Sequence, residues 1–407
     1  MMSRQIYHIS LLTAFAVAAL LSSACSADGN GELHPTATDQ QPVAFSATMA
    51  DGQGATTRGL DNAIEDKAAL ANAGGFGVFA CYTGLHRYGD VDAQPDFMYN
   101  QKVESNNNGT TWTYSPLKYW PNGEGVVNGS TGEAPHYLSF MAYAPYSDMN
   151  PLSTGDAGYC IPSMSLQHEL GNPWITYRIH NDVTRQVDLL YATPLLDKSK
   201  QTTTGNLSFS FKHALACAGS SVTVTCSDAM KTDLTARATS ADIDKMELRL
   251  TAMTITYTLT EKGRLLLWNN GSANWQGIMS ESSMVTRTVT YTPSNHLLYS
   301  TASAGTDYKD VNGDNAVFYI PIHTGNNYQT ATVTLTYQIV RYTSAAPSTP
   351  VVDRELTPSA VLKLSDYNSY EAGKKLTMNF TIHEIGLKTT ASITNWSDET
   401  VGNFTAE

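Results

Sequence analysis

The sequence predicts an all-β protein built as two tandem antiparallel β-sandwiches with one short helix near the N-terminus. Three observations carry the architectural part of that expectation. Runs of alternating apolar and polar residues recur along most of the 407-residue chain, and turns containing Gly, Asn and Pro separate them. Charged residues make up only 15 %, against roughly 25 % in an average soluble domain, so Thr, Ser, Asn and 22 Tyr supply the polarity. Residues that favour a half-buried pleated surface dominate over helix formers. A coiled coil or helical bundle is excluded by that balance. The formal charge of −12 leaves no basic surplus to neutralise phosphates, so nucleic acid is not an expected partner. A hydrophobic content of 42 % is too high for a disordered chain.

The first element is not part of the fold. Arg4 precedes an apolar run from Leu11 to Leu21, and Ser22-Ser23-Ala24 follows. A basic start, an apolar stretch of about 7–15 residues and a small-residue site read as a secretory signal over 1–24. The run is too short to cross a bilayer, and no later stretch is long and apolar enough to do so. Small residues leading directly into Cys25 resemble the bacterial lipoprotein box, although Ser22 stands where that box usually has Leu. The resemblance implies that Cys25 is lipidated and becomes the new N-terminus. Acyl chains partition at about 0.8 kcal/mol per buried CH₂, and two or more anchor a protein stably. Residues 25–40 read as an acidic flexible tether. Such a segment is either a plain solvated linker or, by resemblance to lipoproteins of the Bacteroides group, a signal for the outer face of the outer membrane.

Strands follow in order. Val43, Phe45 and Ala47 alternate as a first strand over 43–48. A short helix is predicted over 62–70, with Asn62 as N-cap, Glu65 three residues on, and Ile64, Ala68 and Leu70 near helical spacing. Leu138, Phe140 and Ala142, then Val187, Leu189 and Tyr191, give short strand patterns. Longer ones run through Leu207, Phe209 and Phe211; Met253 to Leu259; Val333 to Ile339; and Leu376 to Ile382. Turn chemistry lies at Pro121-Asn122-Gly123, Asn128-Gly129, Asn312-Gly313 and Gly325-Asn326-Asn327. The polar stretch 197–205 is the expected boundary between an N-terminal sandwich (41–197) and a C-terminal one (205–396), with a polar tail over 397–407. Each half suits one sandwich in size. Ser344–Pro350 reads as a long loop inside the second half.

Catalytic and metal motifs are incomplete. His168-Glu169 and His383-Glu384 begin like zinc-protease helices, but Asn172 and Leu387 stand where the second His is required. Asp310-Val311-Asn312-Gly313-Asp314 spaces oxygen donors like a calcium loop, yet Asn315 and Pro321 occupy the positions that need Gly and Glu. No nucleophile elbow and no phosphate-cradling Gly-rich loop occur. The expectation is a protein without catalytic, cofactor-binding or metal residues, and hence not an enzyme. Cys81, Cys160, Cys217 and Cys226 allow three disulfide pairings. Cys217 and Cys226 are the nearest pair, and small buried thiols are the equal alternative.

Several phrases in fixed order resemble the fimbrillin family of Bacteroidales surface pili, in particular its Mfa-like branch. They are Val43–Thr48, Thr56-Thr57-Arg58-Gly59, Gly75–Ala80, Phe97–Val103, Trp112–Pro121, Leu138–Tyr146, Asp188–Ala192 and Phe209–Leu215, with a similar ending from Ala372 to Trp396. The resemblance covers nearly the whole chain after Cys25. It implies two transthyretin-like sandwiches and a lipidated, exported precursor. It also implies cleavage by an arginine-specific protease, which removes the first strand and leaves a groove for a neighbour's strand. Arg58, followed by Gly59, is the candidate site, because it lies between Gly52-Gln53-Gly54 and the predicted helix. Val43, Phe45 and Ala47 are the candidate knobs of the exchanged strand.

The expected function is therefore a structural or adhesive pilus subunit on the outer membrane surface, moving into the fimbrium after assembly. Its expected partners are other subunits by β-strand addition, the membrane through lipid, and a host or bacterial surface ligand. After Ile385 the only knobs are Leu387, Ile393, Trp396, Val401 and Phe404, which favours a tip or accessory subunit over a stalk protomer. The alternative is a non-polymerising surface lipoprotein that binds glycans through Trp and Tyr platforms, with Trp112, Trp120, Trp174, Trp268, Trp275 and Trp396 as candidates.

Overall fold

The computed structural model describes residues 41–50, 63–121, 124–127, 130–276, 284–321, 329–364, 371–384, 386–395 and 402–404. The signal, the tether, Cys25, Arg58, Gly59, Asn62, Trp396 and Val401 lie outside the described residues, as do three of the four turn motifs, wholly or in part. Among the described residues the chain is mostly strand, as the alternation predicts.

The first part contains β1 (Phe45–Met49), α1 (Lys67–Asn72), β2 (Phe76–Gly84), β3 (Met98–Val103), the pair β4 (Glu124–Val127) and β5 (Ser130–Glu133), and β6 (Tyr137–Ala144). After α2 (Gly155–Cys160) come β7 (Ser163–Met164), β8 (Trp174–Arg178), β9 (Leu190–Ala192), β10 (Leu195–Lys198) and β11 (Leu207–His213). A seven-stranded sheet takes the order β1-β11-β9-β6-β2-β3, with β10 also paired to β6. Its pairings are antiparallel except that of β1 with β11. One face of this sheet carries a core of Phe76, Val78, Leu138, Phe140, Phe209 and Phe211, into which Val43, Phe45 and Ala47 are inserted.

The second part contains β12 (Ala216–Cys226), α3 (Asp228–Arg237), β13 (Ile243–Thr260), β14 (Lys262–Leu266), β15 (Asn274–Gln276), β16 (Met284–Tyr291), β17 (His296–Ser300), β18 (Tyr308–Asp310) and β19 (Val317–Tyr319). It ends with β20 (Thr330–Thr343), β21 (Ala346–Leu356), β22 (Ser359–Lys363), β23 (Lys374–His383), β24 (Gly386–Asn395) and β25 (Gly402–Phe404). Two six-stranded sheets form here. One runs β18-β12-β23-β24-β25 with β19 beside β12, and the other runs β16-β13-β20-β21 with β17 beside β13 and β22 beside β20. Val222, Met378 and Phe380 from the first meet Ile255, Val333 and Leu335 from the second in a larger core.

That larger core also takes Phe79, Met141 and Tyr143 from the opposite face of the N-terminal sheet. Strands β2 and β6 are therefore buried on both faces, which is why their sequences read as continuous apolar runs with weak alternation. The stretch 197–205, expected as the boundary, takes in the end of β10 and the link towards β11, both strands of one sheet. The chain passes from the smaller core to the larger at Ala214–Ala218, where every residue is fully buried. A four-stranded sheet, β15-β14-β8-β7, takes strands from either side of that passage.

Three local expectations change. The helix starts at Lys67, capped by Asp66, whose Oδ1 accepts the Ala69 N–H at 2.7 Å. Ile64 lies ahead of the helix, and its N–H donates to Asp188 Oδ2 at 2.9 Å. The short helices α2 and α3 are additional; α3 is capped by Ser227 and buries only Met230 and Leu234, so its pattern does not stand out. Residues 346–350, read as loop, begin the strand β21. Pro347 and Pro350 fit there because β21 is the sheet's edge, where a missing N–H on the outer side breaks no ladder.

Candidate functional site

The first strand is the candidate site, and its geometry follows from being both an edge and a core element. Val43, Phe45 and Ala47 are 1, 1 and 2 % exposed. The Phe45 ring lies 5.7 Å from Phe209, stacked, and 5.8 and 5.5 Å from Phe140 and Tyr114. Alternation therefore acts as expected: each apolar residue is a knob in the core, and Ser46 and Thr48 face outward.

Backbone pairing holds the strand on one side. Phe45 to Met49 pair in parallel with Leu207 to Phe211. The Leu207 N–H donates to Ala44 O at 2.8 Å, and Asn206 Nδ2 donates to Phe45 O at 3.4 Å. On the lead-in, the Val43 N–H donates to Lys118 O at 2.9 Å, the Trp120 N–H to Gln41 O at 3.0 Å, and the Tyr114 hydroxyl to Val43 O at 2.7 Å. The residues 114–120 thus form a flap over the strand's entry. In the sequence, Pro116 and Pro121 around Tyr119-Trp120 are the signal that marks a shaped loop here.

Both ends of the following segment are fixed near the last residues of β11. The Ala50 N–H donates to Phe211 O at 2.8 Å. Ile64 is held by Asp188, and Asp188 is itself bonded to His213 Nδ1 at 2.9 and 3.1 Å. Residues 51–63, which contain Arg58 and Gly59, run between these two attachments.

The model of the fimbrillin-like family matches residues 57–396. The chain belongs to the fimbrillin-like family. Among solved structures, a fimbrial protein from Bacteroides vulgatus superposes with a TM-score of 0.58 at 18 % identity, over 88 % of this chain and 100 % of that one. A fimbrial assembly protein from Parabacteroides distasonis aligns with a TM-score of 0.37 at 8 % identity, over 90 % of this chain and 99 % of that one. The first of these shows the shared fold. No curated protein matches the sequence.

The remaining candidate groups of this fimbrillin-like chain take structural places. Cys81, Cys160, Cys217 and Cys226 are free and buried. Cys217 and Cys226 lie near opposite ends of the single strand β12, too far apart for an S–S bond. Burial pushes the thiols of Cys81, Cys160 and Cys217 up to about 12, so they are held as inert thiols. In the calcium-like turn, Asp310 is used locally: its carboxylate accepts the Asn312 N–H at 2.9 Å and Asn315 Nδ2 at 3.3 Å. Glu169 accepts the Leu166 N–H at 2.7 Å and the Trp174 indole N–H at 3.2 Å, beside an exposed His168. Among the described residues no group of three or more His, Cys, Asp or Glu is placed to hold a metal ion.

Of the tryptophans, Trp112 and Trp120 belong to the smaller core. Trp275 donates its indole N–H to Ala214 O at 2.8 Å, and the Trp174 ring carries the Arg264 guanidinium 4.1 Å above it. Trp268 is the exposed one among those described, at 40 %. The C-terminal strand β24 is fully engaged, pairing with β23 from Gly386 to Asn395, and β25 closes on it.

Proposed function

We propose that this protein is a structural or adhesive subunit of a surface pilus, activated by loss of its first strand. In this reading the precursor is lipidated at Cys25 and carried to the outer face of the outer membrane. A trypsin-like protease then cuts between Arg58 and Gly59. Residues 25–58 leave, β11 loses its parallel neighbour, and the pockets of Val43, Phe45 and Ala47 stand empty. A neighbouring subunit fills them with its own strand, backbone bonds giving affinity and alternating knobs giving register.

One observation carries the proposal. The strand β1 is a peripheral element by its hydrogen bonds and a core element by its side chains, and it is joined to the rest of the fold through the segment containing Arg58. Removing it uncovers an edge and an apolar groove together. The engagement of β24 with β23 supports a tip or accessory position, since that segment is in use within its own subunit.

The test is limited digestion of the purified precursor with a trypsin-like protease, followed by N-terminal sequencing and gels run without boiling. A product starting at Gly59, and denaturant-resistant ladders when subunits are mixed, are the expected results. An Arg58→Ala precursor that still matures to the same length on cells would remove Arg58 from the mechanism. Labelled palmitate that incorporates equally into Cys25→Ser would remove the anchor.

A further inference from the structure

The buried pair Asp188–His213 has no part in the cleavage or the exchange as described above, yet it sits where the two meet. Asp188 is 1 % exposed and His213 5 %, in a chain where most buried positions are apolar. A carboxylate so buried needs compensation, and Asp188 has two hydrogen-bonded neighbours at 2.9 Å: His213 Nδ1 and the backbone N–H of Ile64. His213 is the last residue of β11, the strand that carries β1. Ile64 is the sixth residue after Arg58.

We propose that Asp188 is a latch that holds the new N-terminal end in place once the segment 51–63 is cut, and so keeps the vacated groove shaped for an incoming strand. This rests on the strand-removal reading above. Ile64 and Leu70 belong to the same core as Val43, Phe45 and Ala47, so they form part of the wall that remains when the strand leaves. Leu70 is carried by α1, a helix of six residues. A helix that short is not stable by itself and depends on its attachments. At its far end the Gly75 N–H donates to Leu70 O at 3.1 Å. At its near end the attachment is Ile64 to Asp188. In the intact chain β1 also packs against this wall. After cleavage that support is gone, and the latch becomes the tie on the N-terminal side of α1. Asp188 acts through Ile64 and α1, and is a positioning residue for the exchanged strand.

The test compares wild type, Asp188→Asn and Asp188→Ala, each intact and clipped within 51–63. Asparagine keeps an oxygen for the Ile64 N–H, so it separates the latch from the charge. Amide exchange is followed at Ile64, across Lys67–Asn72 and across β23 as a folding control, and a synthetic peptide of residues 41–50 is titrated onto the clipped proteins. In clipped wild type and Asp188→Asn, Ile64 stays protected. In clipped Asp188→Ala, exchange at Ile64 and in α1 rises by about a hundredfold while β23 is unchanged. Peptide affinity falls by about tenfold or more in the same variant, with Asp188→Asn rescuing it. Equal Ile64 protection in Asp188→Ala, or free exchange at Ile64 in clipped wild type, overturns the latch. Failure of the protease to cut at Arg58 instead overturns the reading beneath it. The two failures stay distinct, because any clip within 51–63 serves this experiment.

Discussion

Phe45→Ala is the substitution that weighs most directly on the strand proposed to be exchanged. The side chain is 1 % exposed and touches three aromatic rings whose centres lie 5.5 to 5.8 Å away. Truncating a buried Phe removes about 3–5 kcal/mol, the spread reflecting how far the site relaxes. An edge strand covered by a loop can shift more than a central one, so the lower end, about 3 kcal/mol, is expected. The backbone ladder to β11 is untouched, so this loss falls on side-chain packing alone. At about 1.4 kcal/mol per tenfold, the clipped segment should leave roughly a hundredfold faster than from wild type. The assay clips both proteins with a trypsin-like protease, labels the N-terminal segment, and follows its release by size exclusion or fluorescence. Tyr119→Ala is the control, since Tyr119 bridges to Pro42 but is 41 % exposed. If release is equally fast from wild type and Phe45→Ala, or Tyr119→Ala matches the effect, β1 is not held by its knobs and the groove argument fails.

Two further outcomes follow from the buried ionisable groups. Cys81, Cys160, Cys217 and Cys226 should resist a thiol reagent at pH 8 in the folded protein and react fully in denaturant; rapid reaction of any of them in the folded state would contradict their burial. Burial raises the hydroxyls of Tyr143, Tyr177 and Tyr257 above their ordinary value, and that of Tyr308 to about 12. The unfolded chain ionises first, so stability is complete below about pH 10 and declines as pH rises beyond it. Denaturation midpoints that stay level from pH 9 to pH 12 would refute this.

The strands were legible because their cores lie on one side. Leu376, Met378, Phe380 and Ile382 are all fully buried, and the polar residues between them are not. The same logic made Val43, Phe45 and Ala47 visible as knobs. What sequence did not show was the second burial of the N-terminal sheet, where Phe79, Met141 and Tyr143 enter the larger core. Period-2 reading assumes one wet face, and β2 and β6 have none. In the polar stretch 197–205, Ser199 is fully buried and its carbonyl accepts the N–H groups of Thr202 and Thr203. A polar loop closing within a sheet has the composition of a linker. Asp188 and His213 were invisible for another reason. Their partners are 25 and 124 residues away along the chain, and nothing in spacing announces such a pairing.

The contrast between β1 and β12 gives a physical reason for the proposed strand loss to fall on β1. Each core contains a strand running parallel to a later one: β1 beside β11, and β12 beside β23. Side-chain burial is similar, since Val222 and Val224 are as enclosed as Val43 and Phe45. The ladders differ. β12 pairs with β23 on one side and with both β18 and β19 on the other, so removing it would orphan backbone groups along three strands at once. β1 pairs along its length with β11, and elsewhere has the lead-in contacts of Gln41–Val43 with the 114–120 flap. Buried backbone groups left without partners are expensive, whereas an edge already meets solvent or a flap. The difference lies in connectivity more than in hydrophobicity. As the first strand among the described residues, at an edge and ending at Met49, β1 can be separated from β11 by a single cut between them, while β12, flanked by Leu215 and Ser227 within the chain, would need two.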